Sequence, residues 1–132
     1  RLFIFAEIHK PGMKNRTIAE AVKKINKING WITGDSAEPR TIAELNDCGL
    51  RIVGAKKGPG SVEHGIKWLQ DLNEIIIDPV RCPNTAREFK GYEIQRDSHG
   101  NLKGTYPDKD NHSIDSTRYS LEDEMRTDNW LY

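Results

Sequence analysis

Asp110-Asn111-His112-Ser113-Ile114-Asp115-Ser116-Thr117-Arg118-Tyr119 places two carboxylates, an amide and an imidazole at the start of a helical pattern. Ile114, Leu121 and Met125 follow at steps of seven and four, so one helix face carries all three. His112 and Asp115 are three residues apart and can converge on another face. Oxygen ligands suit a hard divalent cation, and an imidazole joins them when the metal is manganese-like. A second carboxylate, Asp35, ends the strand-like run Gly30-Trp31-Ile32-Thr33-Gly34-Asp35. Taken singly, Asp35 reads as a cap of the next helix or turn, and Asp115 as a solvated helix residue. Taken together with His112, they suit metal-assisted phosphodiester chemistry. There, carboxylates from separate segments clamp ions about 3.5–4 Å apart. A third strong ligand is expected, and the sequence offers no obvious one.

These groups need elements to position them. Leu2–Ile8 is rich in β-formers and reads as a buried strand, broken by Pro11-Gly12. Thr17-Ile18-Ala19-Glu20 has the capping-box pattern, and Ile18, Val22, Ile25 and Ile28 form a helical stripe ended by Gly30. Pro39 opens a helix whose face carries Ile42, Leu45 and Cys48, with Gly49 as its C-terminal cap. Leu50–Ala55 is the next strand. Ser61 is expected to cap a helix carrying Val62, Ile66 and Leu69. Ile75-Ile76-Ile77 forms another strand, and Asn84 caps a short helix with Phe89 on its buried side. Residues 93–106 read as a hairpin with the polar tip Asp97-Ser98-His99-Gly100-Asn101. Alternating strands and helices predict an α/β layered fold with a partly parallel sheet, and sites in such sheets form beyond the strands' carboxyl ends. Asp35 and Lys56-Lys57 both fall there.

Lys56-Lys57-Gly58-Pro59-Gly60-Ser61 is a basic, glycine-containing loop. Its spacing is not GxxxxGK[ST], which excludes a nucleoside triphosphate loop but leaves a phosphodiester contact or a plain surface loop. His9, His64 and His99 have no partner by spacing and read as solvent-facing. The 132 residues suffice for one domain with a real core. With 20 basic and 20 acidic residues, a uniformly basic surface is excluded while a local basic patch is not. No apolar run approaches the roughly 20 residues of a membrane span. Cys48 and Cys82 read as reduced thiols.

The order and spacing of three pieces resemble the nuclease domain of phage terminase large subunits. They are Asp35-Ser36-Ala37-Glu38-Pro39 with Ile42 and Leu45, Ala55–Ser61 with Gly65-Ile66, and Asp110–Tyr119. The resemblance implies an RNase H-like layered fold with a mixed central sheet flanked by helices. It also implies a Mg²⁺- or Mn²⁺-dependent endonuclease that cuts double-stranded viral DNA concatemers during packaging. Asp35 resembles the family's second metal-binding aspartate, Asp115 the last and His112 its accompanying histidine. Lys56 or Lys57 would contact the DNA backbone, and the 93–106 hairpin would overhang the site. The family's first metal-binding aspartate has no counterpart, so residues 1–132 are expected to be a single, truncated nuclease domain lacking its first strands and weak on its own. The implied partners are an ATPase domain in the same parent chain, a small terminase subunit and a portal protein, in the cytoplasm of the bacterial host. Rival readings are a resolvase- or transposase-like nuclease and a non-catalytic docking module. If Asp115 is a metal ligand, Asp115→Asn should leave metal-free stability unchanged or raise it.

Overall fold

The computed structural model describes residues 1–92, 98–99 and 111–128. Their elements run β1 (Leu2–Ile4), α1 (Asn15–Ile25), β2 (Ile32–Gly34), α2 (Pro39–Asp47), β3 (Ile52–Gly54), α3 (Ser61–Gln70), β4 (Ile75–Ile77), α4 (Pro83–Gly91), α5 (His112–Ser120) and α6 (Glu122–Asp128). The predicted 93–106 hairpin, Asp108, Asp110 and the last residues lie outside the described residues, His99 and Ser98 apart.

Helices separate the strands, so the strands pair in parallel. β1 pairs β4 with Leu2 opposite Ile75 and Ile4 opposite Ile77. β2 pairs β3 with Ile32 opposite Ile52 and Gly34 opposite Gly54. The first strand is shorter than the Leu2–Ile8 reading because β4 presents only Ile75–Ile77. Among the described residues the two pairs are not hydrogen-bonded to one another. A groove of about 620 Å³ separates them, lined by the exposed side chains of Phe3, Phe5, Ile25 and Trp31 and by Thr117 and Ser120 of α5.

The apolar core sits under β2–β3. Ala19, Leu45, Leu50 and Ile52 are buried there, with Ile18, Val22, Ile32, Ile42 and Cys48 packed against them. Burying a side chain of leucine or isoleucine size contributes about 1.5–3 kcal/mol, so this cluster anchors α1 and α2 to β3. The Asn46 amide extends the anchoring. Its Nδ2 donates to the Ile52 carbonyl at 3.0 Å, and its Oδ1 accepts the Ile52 N–H at 3.2 Å.

Helix ends depart most from the sequence reading. α1 begins at Asn15, two residues before the capping-box Thr17, and the Asn15 amide reaches across to Glu44 on α2. Ile25 is largely exposed and Ile28, beyond the helix, is 89% exposed, so only the first half of the expected stripe is buried. The Asn26 side chain closes the helix by exchanging two 2.9 Å hydrogen bonds with Gly30. Pro39 takes the first turn of α2 as predicted, and Gly49 follows it at φ 98°. Gly60, at φ 73°, caps α3, and Ser61 is its first helical residue. Cys82 and Pro83, not Asn84, open α4, whose buried side chains are Thr85 and Glu88. The last helix is two, broken at Leu121. Ile114 and Met125 are both 2% exposed, one on each.

Candidate functional site

The parallel register of β2 and β3 delivers the residues after Gly34 and Gly54 to the same edge. Asp35 leaves one strand, and Lys56-Lys57 shortly follow the other. Asp35 Oδ1 accepts the Ala37 N–H at 3.0 Å, in the turn that leads into α2, and forms an ion pair with the Lys57 ammonium. The hydrogen bond from Lys57, aided by the Ala37 N–H, holds the Asp35 carboxyl below its ordinary range. Asp35 in turn, with a further hydrogen bond to Tyr119, raises Lys57. The Lys57 ammonium lies 5.1 Å from the centroid of the Tyr119 ring on α5. Both members of the ion pair are substantially exposed, 45% for Asp35 and 39% for Lys57. Such pairs contribute about 0–1 kcal/mol, so this one is readily displaced.

Asp115 lies one helical turn before Tyr119, on a helix that packs against β2. The N-terminus of that helix is fixed by Glu88 of α4, whose two carboxylate oxygens accept the Ser113 N–H at 3.0 and 3.2 Å. Asp115 Oδ1 accepts from Arg118 Nη2 at 2.8 Å. The Arg118 side chain is only 7% exposed. It passes over Gly65 of α3, where a Cβ would stand 2.8 Å from Arg118 Cδ, so the buried guanidinium depends on glycine at that point. Arg118 Nε is buried without a hydrogen-bond partner among the described residues. Arg118 is therefore held mainly through Asp115.

His112, the first residue of α5, is exposed. It lines a separate cleft of about 260 Å³ with Glu7, His9 and Thr85. Glu7 caps α4, accepting the Asn84 N–H at 2.8 Å and the Thr85 hydroxyl at 3.4 Å. The structure thus brings Asp35 to Lys57 and Asp115 to Arg118, with Lys57 and Tyr119 linking the two elements. His112 shares its cleft with Glu7 and His9. No three of His, Cys, Asp and Glu converge among the described residues. Lys56 donates its backbone N–H to both Glu122 oxygens, at 3.1 and 2.9 Å, and lines a third cleft with Lys57, His64 and Arg126. Sequence spacing did not single out Glu7, Glu88, Arg118 or Tyr119. Glu7 alone left a signal there: it is a lone carboxylate inside an otherwise apolar run, and an unpartnered charge would be costly to bury.

Asp35 thus stands at the carboxyl edge of a parallel strand pair and Asp115 on a helix packed against β2, each carboxylate facing a cation. Four similarities bear on what such an edge is for. The family described as the terminase RNase H-like domain matches residues 1–123. The terminase large subunit of Bacillus phage SPP1 is 47% identical over 130 residues, covering 96% of this chain and 30% of that protein. The PBSX phage terminase large subunit of Bacillus subtilis is 30% identical over 122 residues, covering 92% of this chain and 28% of that protein. The crystal structure of the g2p (large terminase) nuclease domain from bacteriophage SPP1 with bound Mn superposes with a TM-score of 0.85 at 44% identity, over 92% of this chain and 70% of that one. The chain thus spans less than a third of the length of these curated relatives. Its α/β fold is RNase H-like, and the chain belongs to the terminase RNase H-like domain family.

Proposed function

We propose that this chain is the nuclease portion of a phage DNA-packaging terminase, a divalent-metal-dependent endonuclease cutting double-stranded viral DNA concatemers by two-metal phosphodiester hydrolysis. Asp35 and Asp115 would hold Mg²⁺ or Mn²⁺, His112 would add a ligand or orient water, and Lys56 or Lys57 would contact the DNA backbone. The observation that carries this reading is the packing of the Asp115 helix on the strand that ends at Asp35, with the Lys57 ammonium spanning the two. The donors fit the metal in kind. They are hard carboxylate oxygens, and Mg²⁺-type sites commonly use one or two carboxylates completed by water and substrate phosphate. When bound, the metal supplies an acidified water and stabilises charge on the attacking and leaving oxygens. The SPP1 nuclease domain, whose crystal structure carries Mn, supports the cofactor assignment. The terminase large subunits among the relatives support the packaging role. In the same reading, the whole protein works in the bacterial host cytoplasm with an ATPase domain, a small subunit and a portal.

The chain's own residues set two conditions. Lys57 must leave Asp35 for a metal to take both of its oxygens, and the weak exposed pair permits that. Arg118 must share Asp115, which offers one oxygen to the guanidinium and keeps the other. Calorimetric titration with Mn²⁺ tests both conditions without requiring turnover. Asp35→Asn should lose Mn²⁺ affinity, and Lys57→Met should gain it because a competing cation is gone. Equal Mn²⁺ binding by wild type and Asp35→Asn would sink the assignment. Cleavage of supercoiled plasmid with Mn²⁺ then tests the reaction itself.

A further inference from the structure

Next to Lys57, the loop Lys56–Gly60 and the first turn of α3 face α6 across a cleft of about 420 Å³. It is lined by Lys56, Lys57, Gly58, Gly60, His64 and Arg126. Among the described residues no carboxylate lines it. Asp123 and Glu122 both pair with Arg126 at its side, and Glu122 is 12% exposed. Glu122 accepts the Lys56 N–H with both oxygens and lies 3.6 Å from Arg126 Nη2. Glu122 therefore fixes the loop and α6 relative to each other. The Lys56 ammonium is left without an ion pair among the described residues. The Arg126 side chain is 31% exposed at the cleft, with Nη1 donating to Asp123 Oδ1 at 3.3 Å and Nη2 buried against Glu122 without a hydrogen bond among the described residues.

The floor is open. A Cβ at Gly58 or Gly60 would meet nothing within 4 Å, so a ligand can approach the backbone there. The loop leads directly into α3, a ten-residue helix whose N-terminal N–H groups and dipole favour an anion. No side chain caps that end among the described residues. Among the described residues the lining also contains no aromatic ring on which a base could stack. Positive charge without a base platform among those residues selects a phosphate and is indifferent to nucleotide identity.

We propose that this cleft binds one backbone phosphate of duplex DNA through Lys56 and Arg126, with His64 and the start of α3 completing it. Lys57 joins this cleft to the Asp35 edge, so the phosphate would lie next to the scissile one. The proposal rests on the nuclease reading and extends it to Arg126 and His64, which neither sequence spacing nor the carboxylate site indicates.

The test is anisotropy of a labelled duplex with the full chain, in chelator and without metal, across a salt series. Arg126→Gln and Lys56→Ala should each weaken binding uniformly across duplex sequences and lower the salt slope by about one. Arg126→Lys should restore most of the slope. Asp35→Asn, which removes negative charge from the edge, should bind DNA at least as well as wild type. Unchanged affinity and slope in Arg126→Gln, with its melting temperature retained, overturns the proposal. Inorganic phosphate should displace duplex from wild type beyond matched chloride and have no such extra effect on Arg126→Gln; Arg126-dependent phosphate binding that leaves duplex affinity untouched makes the cleft a free-phosphate site and also overturns the proposal. The two readings fail separately: Mn²⁺ titration of Asp35→Asn decides the metal site, and metal-free DNA binding decides the cleft.

Discussion

The end of the β2–β3 pair and the first turn of α5 carry the same kind of group, a carboxylate joined to a cation, and hold it in opposite ways. Asp35 and Lys57 stand at the surface above an apolar core that neither helps to form. Asp115 and Arg118 lie on α5, where Arg118, 6% exposed, covers Gly65 of α3 and Glu88 of α4, 3% exposed, holds the helix N-terminus. The first pair can be rearranged at small cost because the fold beneath does not depend on it. The second is part of what holds the helices together. One pair is thus built to exchange its cation and the other to keep it.

The sharpest way to break this contrast is to remove each carboxylate in turn. Asp115→Ala leaves a buried guanidinium without its partner and should cost about 3–5 kcal/mol. Asp35→Ala should cost less than about 1 kcal/mol. The expectation that Asp115→Asn leaves metal-free stability unchanged or raised is therefore revised. Arg118 makes loss of the charge destabilising, and the metal-free melt should fall. Adding Arg118→Met to Asp115→Ala should recover stability, because a buried pair replaced as a unit is often close to neutral. Denaturant melts of the four proteins decide it. Equal losses for the two single variants would erase the distinction between the pairs.

Next in size is Glu88, which caps α5 from a neighbouring helix. Glu88→Ala leaves the Ser113 N–H unsatisfied and should cost about 1–3 kcal/mol. Amide exchange should accelerate first at Ser113 and Ile114. Uniform acceleration across the chain would show that Glu88 does not act as a cap. Gly65→Ala should cost a similar amount, about 1–3 kcal/mol, by pressing a methyl against Arg118 Cδ. That cost should shrink in an Arg118→Met background, since the two positions share one contact.

These same residues show where the sequence could be read and where it could not. The core under β2–β3 was legible because Ile18, Val22, Ile42 and Leu45 recur at helical spacing and Ile52 sits in a β-branched run. Pro39 and Gly49 marked the ends of α2 because their backbone preferences are local. Pairing Asp35 with a basic loop after the next strand followed from the rule for parallel sheets. The capping of α4 and α5 was not legible. Glu7 acts on a helix 77 residues away in sequence, and Glu88 acts on one 25 residues away. The local capping pattern therefore pointed to Asn84, where Glu7 from another segment supplies the acceptor. Arg118 was not singled out because its burial depends on Gly65, whose missing side chain carries no hydrophobic signal.

The smallest effect concerns the exposed pair and is read from pH. Lys57 holds Asp35 below its ordinary 3.8, so the contribution of Asp35 is complete above that value and is lost as pH falls through the lowered folded-state value. Asp35 raises Lys57 above its ordinary 10.5, so the contribution of Lys57 is complete below 10.5 and is lost as pH rises through the raised folded-state value. The stability difference between wild type and Lys57→Ala should therefore be flat from about pH 5 to 9 and shrink outside it at both ends. Its plateau should stay below about 1 kcal/mol, because both side chains are more than a third exposed. Salt should lower the plateau, since exposed charges are screened. Asp35→Asn should abolish the acid limb of the difference while leaving the core melt intact. Melts of the three proteins across pH supply the measurement. A difference that persists undiminished at acid pH would mean that Lys57 stabilises the edge through Tyr119 instead of Asp35. The carboxylate would then be free to take a metal without first releasing a cation.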